Sequence, residues 1–173
     1  MNLQTDIPNF EIRFAKEEDT ALILRFIKEL AQYEQLLHEV VATEEGLREQ
    51  LFERKAAQVL IAEEGGQAVG FALYFYNFST FLGRQGIYLE DLYITPAARG
   101  KGYGKALFKA LAQIAHAQGC ERVDWWCLDW NQSSIAFYKA MGAIPMNGWT
   151  VYRLTGENLN KLAQSGTFLQ SCE

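Results

Sequence analysis

The first part of the chain switches between two hydrophobic periods, and each period predicts one kind of element. Residues 10–15, FEIRFA, alternate between apolar and polar side chains as a β-strand does. Residues 16–35 repeat apolar side chains at the spacing of one helix face. The residues of this stripe are Leu22, Phe26, Leu30 and Tyr33. A second, short helix is predicted from Thr43 to Phe52, with Thr43 as its N-cap.

Three strands are predicted next, at 57–64, 67–79 and 86–95. Gly65 and Gly66 separate the first two, which is a hairpin signal. A glycine-rich loop then leads into an amphipathic helix. The apolar face of this helix carries Tyr103, Leu107, Leu111 and Ile114, and the opposite face carries a row formed by Lys101, Lys105 and Lys109.

The last part of the chain predicts a buried strand at 120–130, a helix at 131–142 that ends at Gly142, and a final strand at 148–154. The order of these elements indicates an α/β fold. We expect a mixed, mostly antiparallel sheet with helices on both faces. No repeat or linker interrupts the pattern, so a single continuous domain is expected.

Composition and charge narrow the classes of function. The chain has 173 residues, of which 49% are hydrophobic and 21% charged, as in ordinary soluble domains. Its beginning resembles neither a secretory signal nor a membrane anchor, so we expect a cytoplasmic protein without a membrane partner. Three cysteines without a C-x-x-C pair and two histidines predict no metal site. The net charge of −5 disfavours nucleic acid and favours a cationic partner.

Glycine-rich loops before helices include the dinucleotide fingerprint, the P-loop and a general anion-binding turn. The loop ARGKGYGKA, residues 98–106, is compatible only with the last of these. The dinucleotide fingerprint requires glycine where Lys105 stands, and the P-loop requires glycine at Arg99 and a hydroxyl at Ala106. A helix start preceded by glycines nevertheless binds anions through its unpaired N–H groups and its partial positive charge. Arg99, Lys101 and Lys105 add formal charge, so a pyrophosphate-like anion is predicted.

The spacing Arg99-x-x-Gly102-x-Gly104 resembles the acetyl-CoA pyrophosphate loop of the GNAT N-acetyltransferases. The segments IYLEDLYITPAARGKGYG and WNQSSIAFYKAMGA are similar to the core of that superfamily, and LRFIKELAQYE with YLEDLYI resembles its diamine (spermidine/spermine) and thialysine branch. The likeness implies a GNAT domain over 10–162, followed by a tail at 163–173. It also implies acetyl-CoA as donor, a small cationic amine as acceptor, and a homodimer.

Glu90 and Tyr138 are the candidate catalytic residues. An alkyl ammonium with a reference pKa of about 10.4 must lose a proton before it attacks, and the departing thiolate must gain one. Glu90 lies beside Asp91, and strand alternation points the two carboxylates to opposite faces unless the strand is bulged. The resemblance implies Glu90 as the base, either directly or through water, and Tyr138 as the general acid.

The resemblance also implies the binding residues. The backbone of Leu92, Tyr93 and Ile94 would run beside the pantetheine, and the loop from Arg99 through Gly100, Lys101, Gly102, Tyr103, Gly104 and Lys105 would hold the pyrophosphate. Asn131 and Ser134 would contact the thioester end, although Asn131 equally suits a helix N-cap. Tyr33, Glu34, Glu90 and Asp91 would contact the acceptor.

One departure from the diamine branch bears on the acceptor. Asn147 stands where those enzymes place a glutamate before Gly148-Trp149, which makes a small diamine or lysine-like amine at least as suitable as a long polycation. Two other functions remain open. One is a protein or peptide N-acetyltransferase, and the other is a non-catalytic acyl-CoA-binding regulatory protein, which would need neither Glu90 nor Tyr138.

Overall fold

A computed structural model describes residues 2–3 and 5–165 of the chain. The chain forms two compact units, Met1–Trp126 and Cys127–Glu173. In the described residues, the first unit contains a sheet and three α-helices, and the second contains two α-helices.

The sheet of the first unit has six strands in the described part of the chain, ordered as they occur in the sequence. They are β1 (Asn2–Leu3), β2 (Phe10–Phe14), β3 (Gln58–Glu64), β4 (Gln67–Ser79), β5 (Arg84–Ile94) and β6 (Val123–Asp124). All neighbouring pairs are antiparallel except β5 and β6, which are parallel. The predicted mixed, mostly antiparallel sheet is therefore confirmed.

The first four of the five α-helices in the described residues begin within a few residues of where the sequence predicts them. They are α1 (Thr20–Tyr33), α2 (Glu44–Arg48), α3 (Tyr103–Ala117), α4 (Gln132–Ala140) and α5 (Gly156–Gln164). A 3-10 turn, Glu17–Asp19, precedes α1, and a π-helical turn, Glu49–Glu53, extends α2. The N-cap prediction at Thr43 is confirmed, because its hydroxyl accepts the Gly46 N–H at 3.1 Å. No helix in the described residues is long and apolar enough to cross a membrane.

Alternating side chains of the sheet form a hydrophobic core on each face. On one face, Leu60 and Tyr74 pack in a buried cluster with Leu107 and Leu111 of α3. On the other face, the buried side chains belong to strands β3 to β5 and to the α1 and α2 region, and they include Ile23, Phe26, Leu51, Ile61, Phe71 and Tyr93. The prediction of helices on both faces is therefore confirmed.

Gly70 allows β4 and β5 to approach closely where β5 ends. A Cβ atom at this position would lie 2.4 Å from the Tyr93 carbonyl oxygen and 2.5 Å from the Ile94 Cδ1. Just beyond, the Thr95 N–H donates to the Val69 carbonyl at 2.8 Å. The missing side chain thus fixes the point from which the chain leaves the sheet toward the glycine-rich loop.

The predicted strand at 120–130 is wrong in extent. Only Val123–Asp124 of 120–130 joins the sheet, opposite Ile87 and Tyr88 of β5. The pairing stops just before β5 is interrupted by an extra residue, and such an interruption bends a strand away from its neighbour.

The predicted strand at 148–154 is absent, because this segment has no regular structure in the second unit. Its alternating apolar residues resemble a strand, but a strand also needs a hydrogen-bonded neighbour, and the described part of this unit contains only helices. The helix α5 that follows was not predicted. It ends at Gln164, so it runs past the predicted start of the tail at 163, and residues 166–173 lie outside the described residues. The domain limits 10–162 stay a prediction.

Candidate active site

A β-bulge in β5 brings the two adjacent carboxylates of the site together. Leu73 of β4 pairs with Asp91 and Tyr74 pairs with Leu89, so Glu90 is the extra residue without a cross-strand partner. Leu89 and Leu92 both pack in the core cluster under α3. Asp91 precedes Leu92 in the strand, so its side chain points to the opposite face of the sheet. The bulge thus resets the alternation. The expectation that Glu90 and Asp91 point to opposite faces holds only for an unbulged strand.

Burial, and to a smaller extent the neighbouring carboxylates of Glu90 and Glu34, raise the pKa of the Asp91 carboxyl to about 7. Burial also raises the pKa of Glu34. Glu90 itself is exposed. The three carboxyl groups therefore form a cluster, called here the acidic triad, that extends from β5 to the end of α1.

The end of α1 is fixed by a hydrogen-bonded cap that lacks the usual glycine. Gln35 has a φ of 62°, the Leu36 N–H donates to the Ala31 carbonyl at 2.8 Å, and the Gln35 N–H donates to the Gln32 carbonyl. These two bonds form a Schellman motif. A glutamine in this left-handed conformation costs about 1 kcal/mol. The cap determines where Tyr33 and Glu34, both predicted to contact the acceptor, leave the helix.

The acidic triad lacks an internal counter-ion. Within the described part of the chain, no residue of the triad forms an ion pair, although twelve such pairs are present elsewhere. Like charges in a half-buried site repel one another, and the cost falls when a cation joins them. The arrangement therefore suits a positively charged ligand, such as an alkyl ammonium.

An aromatic cluster that the sequence reasoning missed lies on the same strands. The Tyr88 ring is 5.1 Å from the Phe75 ring and 5.8 Å from the Trp126 ring, which is perpendicular to it. Tyr88 comes two residues before Glu90, and this spacing puts two side chains of a strand on the same face. It was the signal in the sequence that could have identified the cluster. Trp126 lies in the segment 120–130 that was predicted as a buried strand, but 56% of its surface is exposed. Aromatic faces beside carboxylates favour organic cations.

The predicted pantetheine segment lies beyond the bulge of β5. Leu92 and Ile94 pack toward α3, and Tyr93 is buried on the α1 face. On one side the segment pairs with residues 70 to 72 of β4, whereas β6 reaches only Ile87 and Tyr88. In the portion of the chain described, the other edge of this segment has no strand partner, and an extended ligand can pair with a strand edge of this kind.

The glycine loop has the backbone of an anion-binding turn. Gly100 and Gly102 have φ values of 78° and 86°, in the left-handed region that favours glycine, and Gly102 is the N-cap of α3. Lys105 is exposed on the first turn of this helix. Basic residues at the positive end of a helix dipole are unfavourable unless an anion is bound, which supports a binding role over a simple turn.

Two of the loop's basic side chains already have protein partners. The Lys101 ammonium contacts both Glu64 carboxylate oxygens at 2.8 and 2.9 Å, and this contact, with a hydrogen bond from Tyr103, lowers the pKa of Glu64. The Arg99 guanidinium lies over the Tyr33 ring. The Tyr103 ring is buried against Phe10, with centroids 4.0 Å apart, so its side chain faces the core.

Asn131, Ser134 and Tyr138 belong to the second unit. The Asn131 side chain is buried and accepts the Ser134 N–H at 3.2 Å, so its alternative role as the N-cap of α4 is present. Tyr138 is half-buried on α4, and its ring centroid is 5.3 Å from that of Phe137. The two candidate catalytic residues therefore lie in different units, Glu90 in the first and Tyr138 in the second.

The residues described include no group of three or more His, Cys, Asp and Glu side chains placed to hold a metal ion. In the first unit, the acidic triad suits a cationic ligand and the glycine loop suits an anionic one, and in the second unit α4 carries the candidate proton donor Tyr138.

Residues 24–143 match the model of the acetyltransferase (GNAT) family. Over 164 residues the chain is 41% identical to a thialysine N-epsilon-acetyltransferase of Bos taurus, covering 88% of this chain and 96% of the relative. It is 31% identical to an L-ornithine N5-acetyltransferase of Arabidopsis thaliana, with 87% and 86% covered. A human spermidine/spermine N(1)-acetyltransferase-like protein is 36% identical over 92% of this chain but only 24% of its own length.

Solved structures share the fold. An integron cassette protein from the mobile metagenome of V. cholerae superposes with a TM-score of 0.76 and 32% identity, covering 90% of this chain and 98% of the other. An aminoglycoside acetyltransferase from a soil metagenome superposes with a TM-score of 0.72 at 19% identity, covering 85% of this chain and 97% of the other. At that identity the second likeness concerns the fold alone.

The raised pKa of Asp91 predicts that Asp91→Asn stabilises the protein at alkaline pH. The native state holds this proton up to about pH 7, whereas the unfolded chain releases it near the ordinary value of about 3.9. Stability is therefore highest below about pH 4 as far as this group is concerned, and it falls as pH rises to 7. Urea unfolding should show the variant more stable by about 1–3 kcal/mol at pH 8, with a difference that shrinks toward pH 5.

The control is Glu18→Gln, which removes an exposed acid from the same unit. Its free energy of unfolding should follow the parent protein within about 0.5 kcal/mol at both pH values. An Asp91→Asn variant that is equally stable at pH 8, or less stable, would show that the carboxylate is not strained there.

Proposed function

The chain belongs to the GNAT acetyltransferase family, and from this we propose that it transfers an acetyl group from acetyl-CoA to a primary amine of a small cationic compound. The proposal of a cationic amine as acceptor rests on the acidic triad of Glu34, Glu90 and Asp91, which lacks an internal counter-ion in the described part of the chain. Relatives named as thialysine and ornithine acetyltransferases support the same class.

The proposed donor site consists of the free edge of β5 and the glycine loop. Leu92, Tyr93 and Ile94 would align with the pantetheine through their backbone, as an added strand does. The backbone from Gly100 to Gly104 and the Lys105 ammonium would hold the pyrophosphate at the start of α3. Gly100 and Gly102 support this fit, because they adopt left-handed conformations that favour glycine and, as glycines, leave the loop surface free of Cβ atoms. Asn131 and Ser134 would contact the thioester end.

The proposed acceptor site holds the ammonium at the acidic triad. Binding a cation lowers the pKa of Asp91 toward its ordinary range, so the carboxylates and the amine stabilise each other's charges. Glu90 would then accept a proton from the ammonium, directly or through water, as the exposed member of the triad. Tyr33 and the Tyr88 cluster would line the apolar part of the acceptor.

The transfer itself forms a C–N bond between the neutral amine and the acetyl carbonyl carbon and breaks the C–S bond of the thioester. The ammonium proton has gone to Glu90 before the attack, and the departing thiolate receives a proton from the Tyr138 hydroxyl. The nitrogen loses its second proton as the amide forms, and this proton restores the Tyr138 hydroxyl, while Glu90 releases its own proton to solvent. A phenol with a reference pKa near 10 can supply this proton to a thiolate of about 8.5 only if the two are held close. No covalent acetyl-enzyme is needed.

Thiol release from acetyl-CoA, measured with thialysine, ornithine, short diamines, spermine and lysine peptides, tests the proposal. We expect turnover with the short diamines and lysine-like amino acids, and a lower kcat/KM for spermine, because Asn147 supplies no charge for a long polycation. The rate should increase with pH as the amine loses its proton.

Two results of that assay would favour the other functions. A kcat/KM for peptides well above those of every small amine would indicate a protein or peptide acetyltransferase. Binding of acetyl-CoA without thiol release for any amine would indicate a non-catalytic regulatory protein, since such a protein needs no proton donor.

Tyr138→Phe should lower kcat about 100-fold while leaving the dissociation constant of acetyl-CoA nearly unchanged, because only the proton for the thiolate is lost. Phe137→Tyr is the control on the same helix, since it adds a hydroxyl without removing one. Single-turnover kinetics separate the chemical step from binding. Full activity of Tyr138→Phe would remove this residue from the mechanism.

We also propose a cytoplasmic homodimer. In the second unit, Ile144, Trp149 and Tyr152 are 81%, 71% and 90% exposed, and apolar surface of this kind supports an interaction site. Sedimentation equilibrium should give twice the mass of the 19.7 kDa chain. Substituting Trp149 and Tyr152 by serine should shift the equilibrium toward the monomer, and a parent protein that sediments as a monomer at all concentrations would overturn the proposal.

A further inference from the structure

The side chain of Arg99 bridges the glycine loop and the end of α1. Its guanidinium carbon lies 4.8 Å from the centroid of the Tyr33 ring and 5.9 Å from that of Tyr93. Its Nε donates a hydrogen bond to the Ile94 carbonyl at 3.0 Å. A single side chain at the start of the donor loop therefore contacts both the predicted acceptor helix and the last residues of β5.

This geometry differs from that of an arginine directed at a phosphate. Such an arginine presents its planar set of N–H donors to the anion. In Arg99 one donor is used by the Ile94 carbonyl, and the guanidinium lies over the Tyr33 ring in a cation–π contact. The ring face of Tyr33 that a cationic acceptor would use on this side is therefore covered by protein.

We propose that Arg99 is a positioning residue that couples donor binding to the acceptor site. The inference rests on the proposed acetyl transfer. Arg99 directly precedes Gly100, so anion binding that orders the loop also fixes the Arg99 backbone. The stacked guanidinium then holds Tyr33, and with it Glu34, the member of the acidic triad contributed by α1. Donor binding strengthens acceptor binding by this route, and acceptor binding strengthens donor binding by the same factor.

The neighbouring structure supports this coupling. Tyr33 is the last residue of α1, and the helix ends there in a cap that contains Gln35 in a left-handed conformation. On the other side, Tyr93 packs against Phe26 of α1 at 5.9 Å, so the guanidinium completes an aromatic contact between the helix and β5.

Arginine suits this task and lysine does not, although both carry the charge. The planar guanidinium stacks on a ring while its Nε donates in the plane, whereas an ammonium cannot do both at this spacing. Arg99→Lys therefore retains the charge near the phosphates and loses the stack on Tyr33. Tyr33→Phe retains the ring, and Tyr33→Leu removes it. These three substitutions separate the two roles of Arg99.

Steady-state kinetics of these variants, with the full chain and an amine that the parent protein acetylates, test the proposal. We expect Arg99→Lys and Tyr33→Leu each to raise the acceptor KM about 3- to 30-fold, the range of one cation–π contact, with the donor dissociation constant changed less than about threefold. The double variant should resemble the worse single variant, and Tyr33→Phe should resemble the parent protein. Gly102→Asp is the control in the same loop, because it should weaken donor binding and leave the acceptor KM unchanged at saturating donor.

Three kinetic results would overturn the coupling. One is a donor affinity that falls in Arg99→Lys while the acceptor KM stays constant, as for a simple phosphate ligand. Another is an additive double variant, which would show that Arg99 and Tyr33 act independently. The third is a Tyr33→Phe variant as impaired as Tyr33→Leu.

A second readout does not depend on turnover. In protein with labelled tyrosine, addition of coenzyme A should shift the Tyr33 ring resonance in the parent protein and not in Arg99→Lys, with the assignment taken from Tyr33→Phe. Absence of the shift in the parent protein, or an equal shift in Arg99→Lys, would overturn the coupling even if acetyl transfer is demonstrated. If no amine is acetylated, the proposed function fails, and the resonance shift still decides whether Arg99 connects the two sites.

Discussion

Electrostatic repulsion within the acidic triad is the constraint on which the candidate site depends. A strand with regular alternation would place one of the two adjacent carboxylates of β5 on each face of the sheet. The extra residue at Glu90 instead leaves Asp91 beside both Glu90 and Glu34, in surroundings buried enough to raise the pKa of Asp91 to about 7. The fold retains these unfavourably placed carboxylates, although a β5 strand shorter by one residue would restore regular pairing with β4. Strain of this kind is typical of functional sites.

The same bulge also shapes the donor side. Before it, β5 is paired on both edges, since β6 lies opposite Ile87 and Tyr88. After it, the pairing with β4 continues, and Gly70 keeps the two strands close where β5 ends. The strand thus arrives at the glycine loop with one edge held and the other edge beyond the reach of β6. A single irregularity in the backbone therefore lies between the proposed donor edge of β5 and the proposed acceptor carboxylates.

Local signals made much of the fold predictable from the sequence. Thr43 and Asn131 were recognisable as helix caps because their side chains satisfy N–H groups within three residues. The hydrophobic periods of α1 and α3 reflect burial against one sheet, which neighbouring residues are sufficient to encode. The residues of the proposed site were found through the resemblance of short motifs, and the loop's left-handed glycines agree with their spacing.

The remaining features depend on contacts between distant residues, and a periodic pattern does not contain them. The bulge at Glu90 is defined by Leu73 and Tyr74 on another strand, so YLEDLYI reads as a regular strand by itself. The segment at 148–154 has the alternation of a strand, but alternation says nothing about whether a neighbour supplies its hydrogen bonds. Likewise, the charge of Arg99 suggested a phosphate ligand, whereas its contact with Tyr33 spans 66 residues of sequence.

These long-range contacts explain how one small protein can bind two substrates of opposite charge. The basic loop and the acidic triad both lie in the first unit, and direct attraction between them would neutralise the site. Glu64 pairs with Lys101 on one side, and the Tyr33 ring lies beneath Arg99 on the other, so two of the loop's three cations are occupied without reaching the triad. An aromatic ring is a suitable separator, since it attracts a guanidinium while carrying no charge that an ammonium must overcome. The carboxylates consequently stay available for an external cation, and their mutual repulsion, once relieved by that cation, becomes binding energy for the acceptor.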